Sequence, residues 1–171
     1  HALTLGSKNA ITGVGVITTD TAVLEAADAT VNLTGANAVN KLDGKAKGLT
    51  FKNSGNLTVG GETGVVTAAG GASLDVTGDL TVGAHGMTNA AGAMKLKASG
   101  TLKLDANAEV KSTGAAATSL EATTVNFDTA SKVSTAGGTI DVKTDALTLP
   151  PGAQGTLSSA NGKVTVETKT A

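Results

Sequence analysis

Pairs of apolar residues separated by one position recur through this chain at nearly constant intervals, and that periodicity limits the fold more than any other feature. One track reads Val31-x-Leu33, Leu57-x-Val59, Leu80-x-Val82, Leu102-x-Leu104, Val125-x-Phe127 and Leu147-x-Leu149. Its successive starts lie 26, 23, 22, 23 and 22 residues apart. A second track reads Leu49-x-Phe51, Leu74-x-Val76, Met94-x-Leu96, Leu120-x-Ala122, Ile140-x-Val142 and Val164-x-Val166, with steps of 25, 20, 26, 20 and 24. A fainter third track, Val66-x-Ala68, Val110-x-Ser112 and Val133-x-Thr135, falls between them, and Leu3-x-Leu5 opens the first. Each pair is bounded by Gly, Asn, Asp or Ser, as short strands between turns are. No apolar stripe at i, i+3, i+4, i+7 survives three turns, so helices are not expected.

Three short strands in every 20–28 residues, repeated about seven times, predict an all-β parallel β-helix, a single-stranded solenoid. Alternate residues of a strand face inward, so Leu74 and Val76 are expected inside and Asp75 outside. One coil cannot bury its inward residues alone; stacked on a neighbour at ~4.8 Å, it pairs strand to parallel strand. Seven such coils make a rod of roughly 30–35 Å, read as one domain over residues 1–171. The phrase "GGASLDVTGDLTV" (Gly70 to Val82) returns as "GGTIDVKTDALTL" (Gly137 to Leu149) because its Leu, Ile and Val must stack on like rows. The glycine pairs mark corners three coils apart, where unusual backbone angles cost least. Ala36 to Gly48 and Thr113 to Ser119 are the expected protruding loops, and Leu149 to Gly155 a break in the last coil, since proline cannot donate to an interior ladder. An antiparallel sandwich also yields short alternating strands, but it requires no constant step.

Composition fits a narrow interior. Hydrophobic residues make up 40% of the chain, yet its aromatics are only Phe51 and Phe127. The 13 cationic residues are all lysine and the net charge is −1, so no bulk field draws nucleic acid or an anionic membrane. Without cysteine there is no disulfide, thiolate site or nucleophilic thiol. No run of 18 apolar residues is present to span a bilayer.

The stretch "NLTVGGETGVVTAAGGASLDVTGDLTVG", Asn56 to Gly83, resembles the β-helical repeats of filamentous-haemagglutinin-type adhesins of two-partner secretion, and autotransporter passenger domains are similar. The resemblance lies in the repeat and covers most of the chain. It implies a secreted, right-handed β-helix at the bacterial cell surface, serving as a shaft or an adhesive face.

Candidate chemistry is sparse. His1 and His85 are the chain's two histidines; a copper-binding brace between them competes with a plain turn histidine in "GAHGMT". Asp75, Asp79, Asp141 and Asp145 recur at matching places, and Asp105 and Asp128 follow first-track strands. Pectin-cleaving β-helices cluster such carboxylates from neighbouring coils, with or without calcium. Asp75 and Asp141 fall three coils, about 14 Å, apart, too far to act as a pair. Lys95, Lys97, Lys103 and Lys111 alternate with inward residues and are expected to form a small outward basic strip that meets a glycan or a surface phosphate. Nucleic-acid binding needs exposed aromatics beside cations. Threonine rows for ice binding do not repeat in register, and the sequons at Asn32 and Asn56 match chance in so Asn- and Thr-rich a chain.

The expectation is therefore a non-enzymatic, extracellular structural or adhesive β-helix. It would be a shaft segment of a surface adhesin or a self-assembling fibre subunit, without cofactor, metal site or catalytic residues. Its expected partners are a further copy stacked end to end or neighbouring coils of a longer chain, and a host glycan or surface polymer. The rival is a pectate-lyase-like enzyme acting on polysaccharide.

Overall fold

A computed structural model describes residues 1–67, 69–152 and 156–170; Ala68 of the third track and residues 153–155 of the expected last-coil break lie outside the described residues. Every regular element among the described residues is a β-strand, and every strand pairing is parallel. The chain is a β-solenoid of about seven turns.

The first rung holds β1 (Ala2–Gly6) and β2 (Ile11–Gly13). Next comes β3, one uninterrupted ribbon of 36 residues, Thr18–Asn53. It is longer than a coil. Residues 21–25 lie on β1 and residues 31–33 on β2, while its later parts receive the next coil. Beyond it the coils become three-sided. The first face stacks β4 (Leu57–Val59), β7 (Leu80–Val82), β10 (Thr101–Leu104), β13 (Thr124–Phe127) and β16 (Ala146–Thr148). The second stacks β5 (Val65–Thr67), β8 (Met87–Asn89), β11 (Glu109–Ser112), β14 (Lys132–Thr135) and β17 (Leu157–Ser159). The third begins on residues 49–53 and continues through β6 (Ala72–Val76), β9 (Met94–Ala98), β12 (Thr118–Glu121), β15 (Ile140–Lys143) and β18 (Val164–Glu167).

The inward rows form one continuous apolar core of Ala, Val, Leu, Ile and Met, with Phe51 and Phe127 inside it. Leu74 and Val76 are fully buried and Asp75 is exposed, as alternation requires. Leu57, Leu80, Leu102, Val125 and Leu147 form one column, as the first track states.

Four expectations are corrected. Val31-x-Leu33 stacks on Ile11 and Gly13, so it does not head the first track; Leu57–Val59 rests instead on residues 41–42. Ala36 to Gly48 is not a loop: it belongs to β3 and buries Asn37, Val39, Leu42 and Ala46. Its small or polar inward residues conceal the alternation. The second track mixes two phases, because Ala72 and Thr118 also fill inward slots. The true column runs Leu49, Ala72, Met94, Thr118, Ile140 and Val164, in steps of 23, 22, 24, 22 and 24. Leu74 and Ile140 are both buried but belong to adjacent columns. The third track is off by one at its first member, where Val65 and Thr67 face inward and Val66 is 39% exposed; Val110-x-Ser112 and Val133-x-Thr135 face inward as expected.

Polar side chains inside the rod are spoken for by backbone at three corners. Asn53 accepts the Val39 N–H at 3.0 Å and donates to the carbonyls of Val39, Gly55 and Asn56 at 2.9–3.2 Å. Asn37 does the same one coil earlier, accepting from Ile17 and donating to Leu33, Gly35 and Lys52. Both sit at corners where the ribbon bends and ladder bonds are interrupted. Asp43, buried, accepts three backbone N–H groups from Glu62, Thr63 and Gly64 at 3.2–3.3 Å, which holds the corner 60–64 down. Gly44 beside it has φ +105°, and a Cβ there would strike the Leu24 backbone of the coil below. Replacing Asn53 by Ala strands these buried backbone groups, so urea unfolding should show a loss of about 1–3 kcal/mol or more. Thr50→Ala, on the exposed side of the same strand, should stay within about 0.5 kcal/mol.

Candidate functional site

The outward rows carry the charged chemistry, and parallel stacking converts sequence into columns with a spacing of about 4.8 Å from coil to coil. The third face holds the most ordered one. Lys52 lies beside Asp75, Asp75 beside Lys97, Lys97 beside Glu121, Glu121 beside Lys143, and Lys143 beside Glu167. Charge alternates through all six rungs. The Lys97 Nζ to Glu121 Oε1 distance is 3.4 Å. The neighbouring outward column reads Thr50, Ser73, Lys95, Ser119, Asp141 and Thr165. Each exposed pair contributes only about 0.2–1 kcal/mol, but like charges directly opposite would cost similar amounts, so alternation favours this register over others.

The expected lysine strip does not exist as one surface. Lys95 and Lys97 lie on β9 of the third face, Lys103 on β10 of the first, and Lys111 on β11 of the second. Alternation fixes that a side chain points outward, but each strand turns a corner onto a different side of the rod. Two of the four are also matched by acids. Lys97 meets Glu121, and Lys103 lies 2.8 Å from Asp105 and 3.7 Å from Asp128. Hydrogen bonding to Asp105 and the pull of both carboxylates raise the Lys103 pKa, holding the ammonium charged.

Two of the recurring aspartates hold coils together. Asp79 Oδ1 accepts the Thr101 N–H of the next coil at 2.7 Å, while Asn56 Oδ1 accepts the Asp79 N–H at 2.9 Å. Asp145 Oδ1 accepts from the Thr170 N–H at 2.8 Å, the Thr170 hydroxyl at 2.7 Å and the Lys169 N–H at 3.1 Å. Asp75 and Asp141, expected at matching places, occupy different columns of the third face. His1 precedes β1 and His85 sits in the exposed corner between β7 and β8, several rungs away. Among the described residues, no three His, Asp or Glu side chains group as ligands for a metal ion.

Two further features have no counterpart in the sequence reading. A cleft of about 570 Å³ near the first rung is lined by Gly6, Lys8, Val23, Glu25, Asp28 and Lys45 among others. Ser112 Oγ and Thr118 Oγ1 flank the corner 113–117 as buried hydroxyls without a hydrogen-bond partner. The charge ladder has a sequence signal, which emerges once the coils are aligned on the inward column from Leu49 to Val164. The cleft is lined from the end of β1 and from two separate stretches of β3, and leaves no such signal.

The fold and its columns define an all-β parallel solenoid whose side chains are engaged from coil to coil. Comparison with family models, with curated proteins and with solved structures gave no match to this chain. No helix among the described residues is long and apolar enough to cross a membrane.

The Asp145 contact makes a pH-dependent prediction. Its three hydrogen bonds, those to Thr170 foremost, hold its pKa below the ordinary 3.8. A lowered folded-state value means the contact contributes fully above the unfolded pKa and is lost as pH falls through the folded one. The Thr170 amide resonance should therefore titrate with a midpoint below 3.8, and Asp145→Ala should abolish that titration. A midpoint at or above 3.8 would contradict the geometry.

Proposed function

We propose that this chain is a non-enzymatic structural or adhesive rod, a shaft segment of a bacterial surface adhesin or a self-assembling extracellular subunit. The observation that carries the reading is the direction in which the polar side chains are used. Lys97 with Glu121, Lys103 with Asp128, Asp79 with Thr101 and Asp145 with Thr170 all join one coil to the next along the axis. A hydrolase or lyase instead needs acids and bases converging on one substrate-sized point. A rod needs every coil tied to its neighbours, because each is stabilised mainly by them.

The reading extends to partners. β1 and β2 pair with β3 alone, and β16, β17 and β18 pair only with the coil beneath. Val164 and Val166 are 39% and 50% exposed on the last of these strands. A further coil, from a longer parent chain or another copy, would complete those ladders and cover those side chains. A host glycan or surface polymer would then meet the lateral faces.

An activity screen against uronic-acid polymers, with and without calcium, tests the assignment. No cleavage is expected, and Asp79→Ala should lower thermal stability without any catalytic effect. Calcium-dependent chain cleavage that disappears in Asp75→Ala or Asp79→Ala would replace the rod with a polysaccharide-acting enzyme.

A further inference from the structure

The ladder on the third face has a symmetry that in-chain stacking alone does not require. Read along the rod, its signs run plus, minus, plus, minus, plus, minus, from Lys52 to Glu167. Reversed end for end, the same row runs minus to plus. A second copy turned about a two-fold axis parallel to the strands, passing between Lys97 and Glu121, would present the opposite charge at all six rungs. Lys52 would face the second copy's Glu167, Asp75 its Lys143, and Lys97 its Glu121, each contact occurring twice as an isologous interface demands.

The neighbouring column obeys the same operation without conflict. Lys95 would face Ser119 and Asp141 would face Ser73, while Thr50 would face Thr165. No like charges meet. Across both columns, Lys52, Lys95, Lys97 and Lys143 are balanced by Asp75, Glu121, Asp141 and Glu167, so the face is neutral. The short Ser and Thr side chains let two flat sheets approach. Neither of the other two faces carries an alternating ladder through all its rungs, although the second holds one opposite pair, Glu109 and Lys132. The first carries Lys41, Thr58, Thr81, Lys103, Asn126 and Thr148 in one outward column, and the second carries Lys45, Val66, Thr88, Lys111, Ser134 and Ser158. Neither column contains a carboxylate to oppose its lysines.

We propose that the third face is a side-to-side interaction surface for a second copy of this chain, packed antiparallel through the charge ladder. The inference is independent of the end-to-end stacking proposed above. Six rungs at ~4.8 Å and five residues at ~3.3 Å give roughly 400–450 Å² per partner. The total of about 800–900 Å² falls below the ~1,200 Å² of stable complexes. The association is therefore weak, electrostatic and sensitive to salt, with long rods gaining by repetition.

Sedimentation of the chain at ~10 mM and ~1 M salt, where the screening lengths are about 30 Å and 3 Å, reads this directly. Dimers are expected at low salt and monomers at high salt. Lys97→Glu and Glu121→Lys should each weaken the low-salt dimer at least tenfold. Mixed in equal amounts they should recover it as a heterodimer. The carboxylate introduced at position 97 of one chain then faces the ammonium introduced at position 121 of the other, and the native Glu121 of the first faces the native Lys97 of the second. Recovery on mixing also shows that both variants are folded. A second pair, Lys52→Glu with Glu167→Lys, repeats the test at the ladder ends, where each side chain has one charged neighbour in its own chain's ladder. A wild-type chain that stays monomeric at low salt overturns the proposal. So does association that both single variants leave intact, which would place the contact at the end rungs, or a mixture no stronger than its components.

Discussion

Parallel stacking of one coil on the next is the constraint from which the rest of this structure follows. Each strand takes its backbone partners from a residue about two dozen positions away, so a side chain's neighbours along the axis are set by coil length and not by local sequence. Inside, that places like upon like: Leu57, Leu80, Leu102, Val125 and Leu147 share a column because every rung offers the same slot. The enclosed space is narrow and lined from three sides, which suits Ala, Val and Leu. It admits two Phe rings, each on a different face.

Outside, the same stacking has the opposite chemical consequence. Identical apolar groups profit from lying over one another, whereas identical charges repel at that spacing. A column charged at every coil, such as that from Lys52 to Glu167, therefore has to change sign at each step, whereas the column from Lys41 to Thr148 separates its lysines with neutral residues. Corners follow a third rule. There the ladder is interrupted and backbone groups would be left buried without partners. Asn37, Asn53 and Asp43 occupy those places and reach neighbouring coils with side-chain oxygen or amide nitrogen.

How much of this is legible in the sequence depends on how distinct the inward residues are. Between residues 57 and 149 the inward positions are mostly large aliphatics flanked by Gly or Asp, so both the coil count and the first column can be read directly. In β3 the inward set includes Ala22, Ala26, Ala29, Asn37 and Ala46, while Gly35, Asn40, Asp43 and Gly44 lie inside the ribbon where they mimic turn residues; only Val31-x-Leu33 and Leu49-x-Phe51 consequently read as strands, with a loop between them. Val66 stands in for Val65 in the third track since two adjacent valines do not declare which faces in, and a single-residue slip exchanges inside for outside. The basic strip fails for a related reason. Knowing that Lys95, Lys103 and Lys111 point outward leaves open which of three faces each occupies, and that follows only from the positions of the corners.

A solenoid's stability is close to a sum of coils and their interfaces, so its rungs are not equivalent. An interior rung such as that of Leu96 has ladder partners above and below, in Leu120 and Leu74. Val166 has Val142 on one side alone and is half exposed. The terminal segment beyond it is held by what the preceding coil extends toward it, namely the Asp145 carboxylate on the amides of Lys169 and Thr170. That carboxylate repeats what Asp79 does for Thr101 within the rod, where a strand also follows and adds its own ladder. At the end rung the side-chain contact stands without that support. Opening should accordingly begin at the rungs paired on one side alone, this one and that of β1 and β2, and proceed inward coil by coil, with Leu74, Leu96 and Leu120 the last to be exposed.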